Sequence, residues 1–393
     1  MKKIFYSFLS AIFIFSSVSA QTDSCNLRIS LLTASPGEEL YSTFGHSALR
    51  VYDSASATDI IYNYGTFDFD DPQFYSKFVR GKLLYFVSVD DFKNFMYQYE
   101  YEKRGITEQV LNLSCAEKEK LFKALIENAK EENKYYKYDF VYDNCTTRLR
   151  DIVAANSNDS LITKNIRPYN GVTFRNLIHE YLDKGHQYWS KFGIDLLLGT
   201  PLDKKISNQE AMFLPDYLLK AFDNTTTGSN KLVNKKITLL EPAIELSKNR
   251  LFTPIIIFCF LFLLVMAGSF SNNNFIKQLL ITVDFLFFFL TGMAGILLLF
   301  MWFGTEHLTT KQNFNLAWAF PLNAVMAFFV HKKSRWVKNY FRFIFLLTFL
   351  LLLSWFFLPQ QLNIAALPLA GIILARSWLI SKRKMYGRQA GNY

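Results

Sequence analysis

Apolar residues are distributed unevenly along the 393 residues of the chain. From residue 21 to residue 250 no apolar run approaches the ~20 residues that a helix needs to cross a bilayer, whereas from Leu251 onward such runs follow one another closely. Five runs are long enough to span: 251–270, 279–303, 314–330, 341–358 and 362–380. The pattern predicts a globular domain over 21–250 and an all-α transmembrane domain of five helices over 251–393.

The N-terminus has the pattern of a secretory signal peptide. Two lysines precede an apolar stretch over 4–18, which is followed by the small residues Ser19 and Ala20. The alternative, an uncleaved membrane anchor, is disfavoured because the stretch is short and rich in serine. We therefore predict a signal peptide over 1–20, cleaved after Ala20, and export of the globular domain.

Basic residues are concentrated on one side of the predicted spans. If the globular domain is outside, the segment after the third span and the C-terminal tail are cytoplasmic, where positive charge is preferred. The basic residues there are Lys332, Lys333, Arg335, Lys338, Arg342, Lys382, Arg383, Lys384 and Arg388, whereas the outer loop over 304–313 has only Lys311. The net charge of +10 is thus largely a topology signal, and no nucleic acid partner is expected. We predict a multi-pass protein of the bacterial inner membrane, with a periplasmic N-terminal domain and a cytoplasmic C-terminus.

Strand and helix patterns alternate within the globular domain, which favours an α+β fold. The β-rich runs are 27–32, 44–51, 60–65, 78–89 and 105–113. Helices are predicted where N-cap residues precede apolar positions at helical spacing: after Ser114, after Asn144, and over 173–182. Cys145 then falls in the first turn of the second of these helices.

Cys145 and His46 have the residue types of a nucleophile and its base. A thiol in the first turn of a helix meets unpaired backbone N–H groups, which lower its pKa and can also stabilise an oxyanion. His46 lies on a predicted strand after Gly45, whereas His179, on a helix, and His186, in a loop, are weaker candidates. Taken alone, Cys145 is equally well interpreted as a buried core residue.

The sequence is less specific about which residues of the globular domain support Cys145 and His46. Either Asn63 or Tyr64 could orient the imidazole, because the hairpin register is uncertain by one residue. Asn144 precedes the nucleophile as an N-cap residue. Arg148, one helical turn beyond Cys145, is as well suited to hold a phosphate as to pair with an acidic side chain.

Polar residues in the membrane half provide further candidates. Glu306 and His307, at the outer end of the second span, could contact a headgroup or an acceptor, although interface polarity alone also explains them. Asp284, inside the second span, is a functional hypothesis because a charge there is costly.

Three of the four cysteines lie in the exported domain. A disulfide between Cys25 and Cys115 leaves Cys145 free, and two unpaired thiols are an alternative. No Cys-x-x-Cys or His-x-x-x-His spacing occurs, so neither a metal nor another cofactor is expected.

The order of the early strand histidine and the late Asn-Cys at a helix start resembles circularly permuted papain-like enzymes of the NlpC and lecithin:retinol acyltransferase type. The blocks at 44–51, 62–67 and 142–151 are similar, in more detail, to the signature blocks of the Lnb-type lipoprotein N-acyltransferases. The likeness continues in both halves of the chain, at Thr173, Phe174, Arg175, His307, Asn313, Asn315, Leu316, Trp318 and Pro321.

This resemblance implies a permuted papain-like thiol enzyme domain and an activity on lipids. A phospholipid would donate an acyl group to Cys145, with His46 as acid and base, and the acceptor would be the α-amino group of a diacylated lipoprotein. The competing interpretations are a membrane-anchored cysteine hydrolase, an amidase or peptidase with the same pair, and a non-catalytic membrane sensor.

Overall fold

The computed structural model describes residues 25–243 and 252–383. The signal peptide expected over 1–20, together with Lys384 and Arg388 of the basic tail, lies outside the described residues. Within these ranges the N-terminal part combines helices with a large antiparallel sheet and the C-terminal part is helical. The prediction of an α+β domain followed by an all-α domain is therefore confirmed.

The N-terminal domain is built on one sheet of seven strands in the order β10-β5-β1-β2-β3-β4-β6, and all neighbouring pairs are antiparallel. A second sheet has the order β7-β8-β9. The strands of the described residues are β1 (Leu27–Ala34), β2 (His46–Asp53), β3 (Thr58–Thr66), β4 (Leu84–Asp91), β5 (Ile106–Leu111), β6 (Tyr135–Lys137), β7 (Leu161–Thr163), β8 (Thr225–Thr227), β9 (Asn230–Lys231) and β10 (Val233–Leu240).

The helices of this domain begin where the sequence places N-cap residues. Ser114, Asn144 and Thr173 each form a complete capping box, which satisfies two backbone N–H groups at each helix start. The α-helices are α1 (Phe74–Val79), α2 (Phe92–Tyr101), α3 (Cys115–Asn128), α4 (Cys145–Asn156), α5 (Phe174–Lys184), α6 (Tyr188–Leu197) and α7 (Pro215–Asp223).

The strand predicted over 78–89 is wrong in its first half. Residues 74–79 form α1, and β4 begins only at Leu84. Gly81 has φ +68°, a left-handed conformation that ends the helix and turns the chain toward the strand. Aromatic and β-branched residues are common in strands, and this composition concealed the short helix.

Helices cover both faces of the large sheet. On one face, Leu31 and Leu49 of the sheet belong to the same buried cluster as Leu121 of α3 and Leu149 of α4. On the other face, α2 contributes Phe95 to a smaller cluster. Because α4 packs on β2 and β3, its N-terminus is held beside the start of β2.

The C-terminal part contains the membrane helices. By length and composition, the helices Asn274–Phe303 and Arg335–Ser354 are long and apolar enough to cross a membrane, and Pro254–Ser269 is a shorter apolar helix. The α-helices of this part are α8 (Pro254–Ser269), α9 (Asn274–Phe303), α10 (Asn323–Met326), α11 (Arg335–Ser354) and α12 (Ala366–Lys382). Four of the predicted spans therefore coincide with α8, α9, α11 and α12, with shifted ends.

The third predicted span, 314–330, is not a continuous helix. It consists of a 3-10 turn at Phe314–Ala317, the short α10, and a second 3-10 turn at Ala327–Phe329. Pro321 lies between the pieces and has no N–H for a helical hydrogen bond. The broken segment packs closely on α9, where a Cβ at Gly292 or Gly295 would collide with its backbone. The packing against α9 shields one side of this irregular backbone, which is the condition under which such a backbone is tolerated at membrane depth.

An ion pair lies inside the helical bundle. Asp284 of α9 accepts two hydrogen bonds from Arg376 of α12, at 2.6 and 2.8 Å, and both side chains are buried. Ser269 of α8 accepts a further bond from Arg376 at 2.8 Å. Asp284 thus has the partner that an acid in the membrane needs, and a functional role for it stays a hypothesis.

A buried polar cluster joins the two domains. Arg175 of α5, with a side chain 1% exposed, donates to Asp195 at 2.7 Å and to Asp203 at 2.9 Å. Asp195 also lies 2.8 Å from His179 Nε2 and accepts from Asn363, in the loop between α11 and α12, at 2.8 Å. These bonds fix α5 and α6 on the outer ends of the membrane helices.

Candidate active site

Cys145 is the first residue of α4, as the sequence predicts. The side chain of Asn144 accepts from the N–H of Thr147 at 2.9 Å, and this cap fixes where the helix begins. The cap does not use the N–H groups of Cys145 and Thr146, which stay available to an acceptor outside the helix. The thiol is therefore held next to the positive end of the helix dipole.

His46 is the first residue of β2 and faces the thiol. Its imidazole lies close enough to Cys145 for each group to shift the pKa of the other, and its Nε2 lies 2.5 Å from Asn63 Oδ1. Because an amide oxygen only accepts, Nε2 carries the proton and Nδ1 is left for the thiol. Gly45, at φ +78°, makes this position possible, since a Cβ there would lie 2.7 Å from the carbonyl oxygen of Ala34.

The surroundings of Cys145 and His46 favour the ionised pair, a thiolate and an imidazolium. Burial by itself raises the pKa of the Cys145 thiol, but the charge and hydrogen bond of His46, with the Thr146 hydroxyl and the Ser47 N–H, lower that pKa to about 7. Burial lowers the pKa of His46, yet Cys145 and the Asn63 amide raise it above its ordinary value. The surroundings of Cys145 therefore favour the thiolate, which is the nucleophilic form.

Asn63→Ala tests the role of the amide. Without the bond to Asn63, we expect the pKa of His46 to fall and that of Cys145 to rise by about one pH unit, because hydrogen bonds to charged groups contribute ~1.5–3 kcal/mol. The measurement is the pH dependence of iodoacetamide alkylation at Cys145, followed by peptide mass spectrometry. Asn63→Asp retains an acceptor oxygen and should keep the midpoint near or below about 7.

Tyr64→Phe is the matched control for this experiment. The Tyr64 hydroxyl accepts from Asn128 at 2.9 Å, and its side chain points to the opposite face of β3 from that of Asn63. Its removal should leave the alkylation midpoint unchanged. An equal shift in Tyr64→Phe and Asn63→Ala would mean that general loosening of β3, and not the amide, moves the pKa.

The other candidate residues of this domain, Asn144, Arg148 and Tyr64, make structural contacts. Asn144 is a structural cap, since its Nδ2 donates to the carbonyl groups of Phe140 and Phe213 at 2.7 and 2.8 Å. Arg148 forms two hydrogen bonds with Asp143, at 2.7 and 2.8 Å, so the ion-pair alternative is the arrangement observed. Tyr64 does not reach His46.

The polar residues after the second span contact the N-terminal domain. Glu306 pairs with Lys137 at 2.6 Å, and His307 Nε2 donates to the Phe78 carbonyl at 3.1 Å. These contacts hold β6 and α1 against the end of α9. Neither residue is brought to Cys145 by them, and contact with substrate stays a prediction.

The other cysteines and histidines lie outside the pair. Cys25 is a free thiol in this structure, so the bridge to Cys115 is not formed in it and stays a prediction of the sequence. His179 belongs to the polar cluster of Arg175, and His186 Nδ1 lies 3.1 Å from the hydroxyl of Tyr188.

Two residues near the thiol were not predicted from the sequence. Gly65, at φ +92°, lies so close that a Cβ there would be 3.6 Å from both Cys145 Cβ and Tyr138 Cε2. Tyr138 therefore borders the site from the segment before α4. The strand register is irregular between Tyr64 and Thr66, and a glycine inside a β-rich run is the sequence signal of such a bulge.

A cavity of about 710 Å³ lies at the junction of the two domains. It is bordered by the polar cluster and by the loop between α11 and α12, including His179, Asp195, Trp355 and Asn363. Cys145 is not among its lining residues, so this cavity is separate from the thiol and imidazole.

The fold and the site define a membrane-anchored protein with a cysteine beside a histidine in its N-terminal domain. Residues 15–180 match the Lnb N-terminal periplasmic domain, and residues 246–385 match the Lnb transmembrane domain. The two matches follow one another in order and together span most of the chain. The chain belongs to the Lnb family, with a periplasmic N-terminal domain. No curated protein and no solved structure matches it.

Proposed function

We propose that this protein is a lipoprotein N-acyltransferase, which moves a fatty acyl group from a phospholipid to the α-amino group of a diacylglyceryl-cysteine. The observation that carries the proposal is the Cys145–His46 pair at the start of α4, with a thiol pKa of about 7. Acyl transfer needs a nucleophile that is ionised near neutral pH and a base within hydrogen-bonding distance.

The first step would form a thioester. The thiolate of Cys145 attacks the ester carbonyl carbon of the phospholipid, and the N–H groups of Cys145 and Thr146, at the start of the helix, would stabilise the oxyanion. The bond between that carbon and the glycerol oxygen then breaks. The imidazolium of His46 gives its proton to this oxygen, so that a lysophospholipid leaves and the acyl group remains on sulfur.

The second step would return the site to its starting state. The neutral α-amino group of the acceptor attacks the thioester carbon, a carbon–nitrogen bond forms, and the carbon–sulfur bond breaks. Neutral His46 takes the proton that the amine loses. The products are an N-acylated lipoprotein and the original pair of thiolate and imidazolium.

The membrane domain supports lipid substrates over soluble ones. Both the donor and the acceptor are anchored in a bilayer, and the N-terminal domain is bonded directly to the outer ends of the membrane helices. A hydrolase with the same pair is the competing function, because water can take the place of the amine in the second step. We also infer, from the basic residues around 332–338, that the C-terminus is cytoplasmic in the inner membrane.

Mass spectrometry of lipoprotein N-termini distinguishes the two functions. Cells that contain the protein should yield lipoproteins with an additional acyl group on the terminal nitrogen, and cells that lack it, or carry Cys145→Ala, should yield free amines. Purified protein in phospholipid vesicles with a diacylated lipopeptide should produce the amide. Release of free fatty acid with no amide would identify a hydrolase and contradict the proposal.

A further inference from the structure

A series of aromatic contacts begins beside the thiol. Tyr138 and Cys145 flank Gly65, as described above. The Tyr138 ring stacks on Tyr85 with centroids 4.3 Å apart, and Tyr85 meets the Phe67 ring edge-on at 5.3 Å. This part of the series leads from the site along β3 and β4 toward the surface.

The series ends in rings that are exposed. Phe67 contacts Phe69 at 4.7 Å and Phe74 at 5.8 Å, and Phe74 stacks on Phe78 at 6.1 Å between centroids. Phe69 is 69% exposed, Phe78 is 49% exposed, and Tyr75, beside Phe74, is 80% exposed. We call the connected rings the aromatic path: Tyr138, Tyr85, Phe67, Phe69, Phe74 and Phe78.

The exposed end of the aromatic path is attached to the end of a membrane helix. The N–H of Glu306 donates to the carbonyl of Arg80 at 2.9 Å, and His307 bonds to the carbonyl of Phe78. These two residues follow closely after Phe303, the last residue of α9, which is 74% exposed. Aromatic residues at the end of a span are typical of the membrane–water interface. The exposed rings of α1 therefore lie beside the end of α9.

We propose that the aromatic path binds the acyl chain of the donor lipid and guides it from the outer leaflet to Cys145, with α1 in contact with the lipid surface. This inference rests on the proposed acyl transfer and adds the position of the acyl chain. Clusters of exposed rings mark interaction surfaces, and apolar rings contact a hydrocarbon chain without preference for its headgroup. The path is continuous from the interface to the thiol, which is what a chain attached to the reacting ester requires.

Photocrosslinking tests the lipid contact. p-Benzoylphenylalanine in place of Tyr75 should form adducts with lipids in vesicles of phosphatidylethanolamine and phosphatidylglycerol. The matched control is the same replacement of Tyr97, an exposed tyrosine (71%) on α2, which packs on the opposite face of the sheet. Equal adduct yields at the two positions, or none at Tyr75, would contradict the placement of α1 at the bilayer.

Chain-length dependence tests the path itself. Phe67→Ala should slow acylation of Cys145 by dipalmitoyl phosphatidylethanolamine about tenfold, the loss expected for one ring contact, and slow the reaction with the dihexanoyl lipid much less, because the shorter chain contacts less of the path. Phe69→Ala, at the exposed rim, should shift the preference in the same direction without touching the core.

The results of these experiments distinguish failure of the aromatic-path proposal from failure of the proposed acyl transfer. An unchanged alkylation midpoint at Cys145 shows that each variant retains the site. Equal losses with both lipids, or no loss with either, would overturn the path while leaving acyl transfer intact. Absence of any acyl-enzyme in the unaltered protein would instead refute the proposed function, and the crosslinks at Tyr75 would still test the lipid contact.

Discussion

Cys145→Ala should lower N-acylation of lipoproteins by about a thousandfold or more, because the thioester cannot form without the thiol. His46→Ala should have a similar effect, since the pKa of the thiol then loses the charge and hydrogen bond that lower it. The measurement is the rate of amide formation on a diacylated lipopeptide in phospholipid vesicles. With phospholipid and no acceptor, the unaltered protein should gain the mass of one acyl chain on Cys145.

The double variant shows whether the two residues act as a unit. Cys145→Ala with His46→Ala should be hardly slower than either single variant, because the loss of one partner already removes the function of the other. Additive losses would mean that the residues contribute separately. Substantial residual acylation by Cys145→Ala would mean that the cysteine is only structural. Tyr64→Phe, which leaves the pair intact, is the control for general damage to β3.

Arg175→Met should destabilise the protein strongly, because it removes the centre of a buried polar cluster. The guanidinium is bonded to Asp195, to Asp203 and to the carbonyl groups of Leu198 and Gly199. Removing one member of a buried ion pair leaves uncompensated charge and costs ~3–5 kcal/mol. Here two carboxylates would be left, so we expect a large decrease in the thermal unfolding temperature in detergent.

Lys184→Met is the matched control on the same helix. Lys184 is bonded to Glu180 at 2.7 Å in an exposed ion pair, and exposed pairs of this kind contribute little. Its unfolding temperature should be nearly that of the unaltered protein. If Arg175→Met unfolds at the same temperature as Lys184→Met, the polar cluster does not hold the domains together.

Local sequence patterns were sufficient to predict the helix that begins at Cys145. The N-cap preference of Asn144 and the apolar spacing after it determine where α4 begins, and both are contained within a few residues. His46 could be chosen because few histidines were available. The choice between Asn63 and Tyr64 was open, since it depends on which face of β3 each side chain takes, and this is fixed only by packing on the helices.

Long-range contacts could not be derived in the same way. Arg175 was noted only as part of the resemblance, and its partners lie on α6 and beyond, which no periodicity connects to α5. Apolar composition likewise predicted a third segment in the membrane domain, but not that its helix is interrupted. Hydropathy measures the free energy of transfer into lipid and carries no information on backbone conformation. The short helix α1 was missed because its aromatic residues, which are typical of strands, lie largely at the surface and do not form part of a sheet.

The pair of Asp284 and Arg376 has a consequence for biogenesis. The two residues are 92 positions apart, so α9 is synthesised long before its counter-charge exists. Until α12 arrives, the acid must be hydrated or held by the insertion machinery, because its burial in hydrocarbon is costly. The final position of α9 therefore depends on α12, a helix that leaves the ribosome much later, so these two spans reach their final packing together.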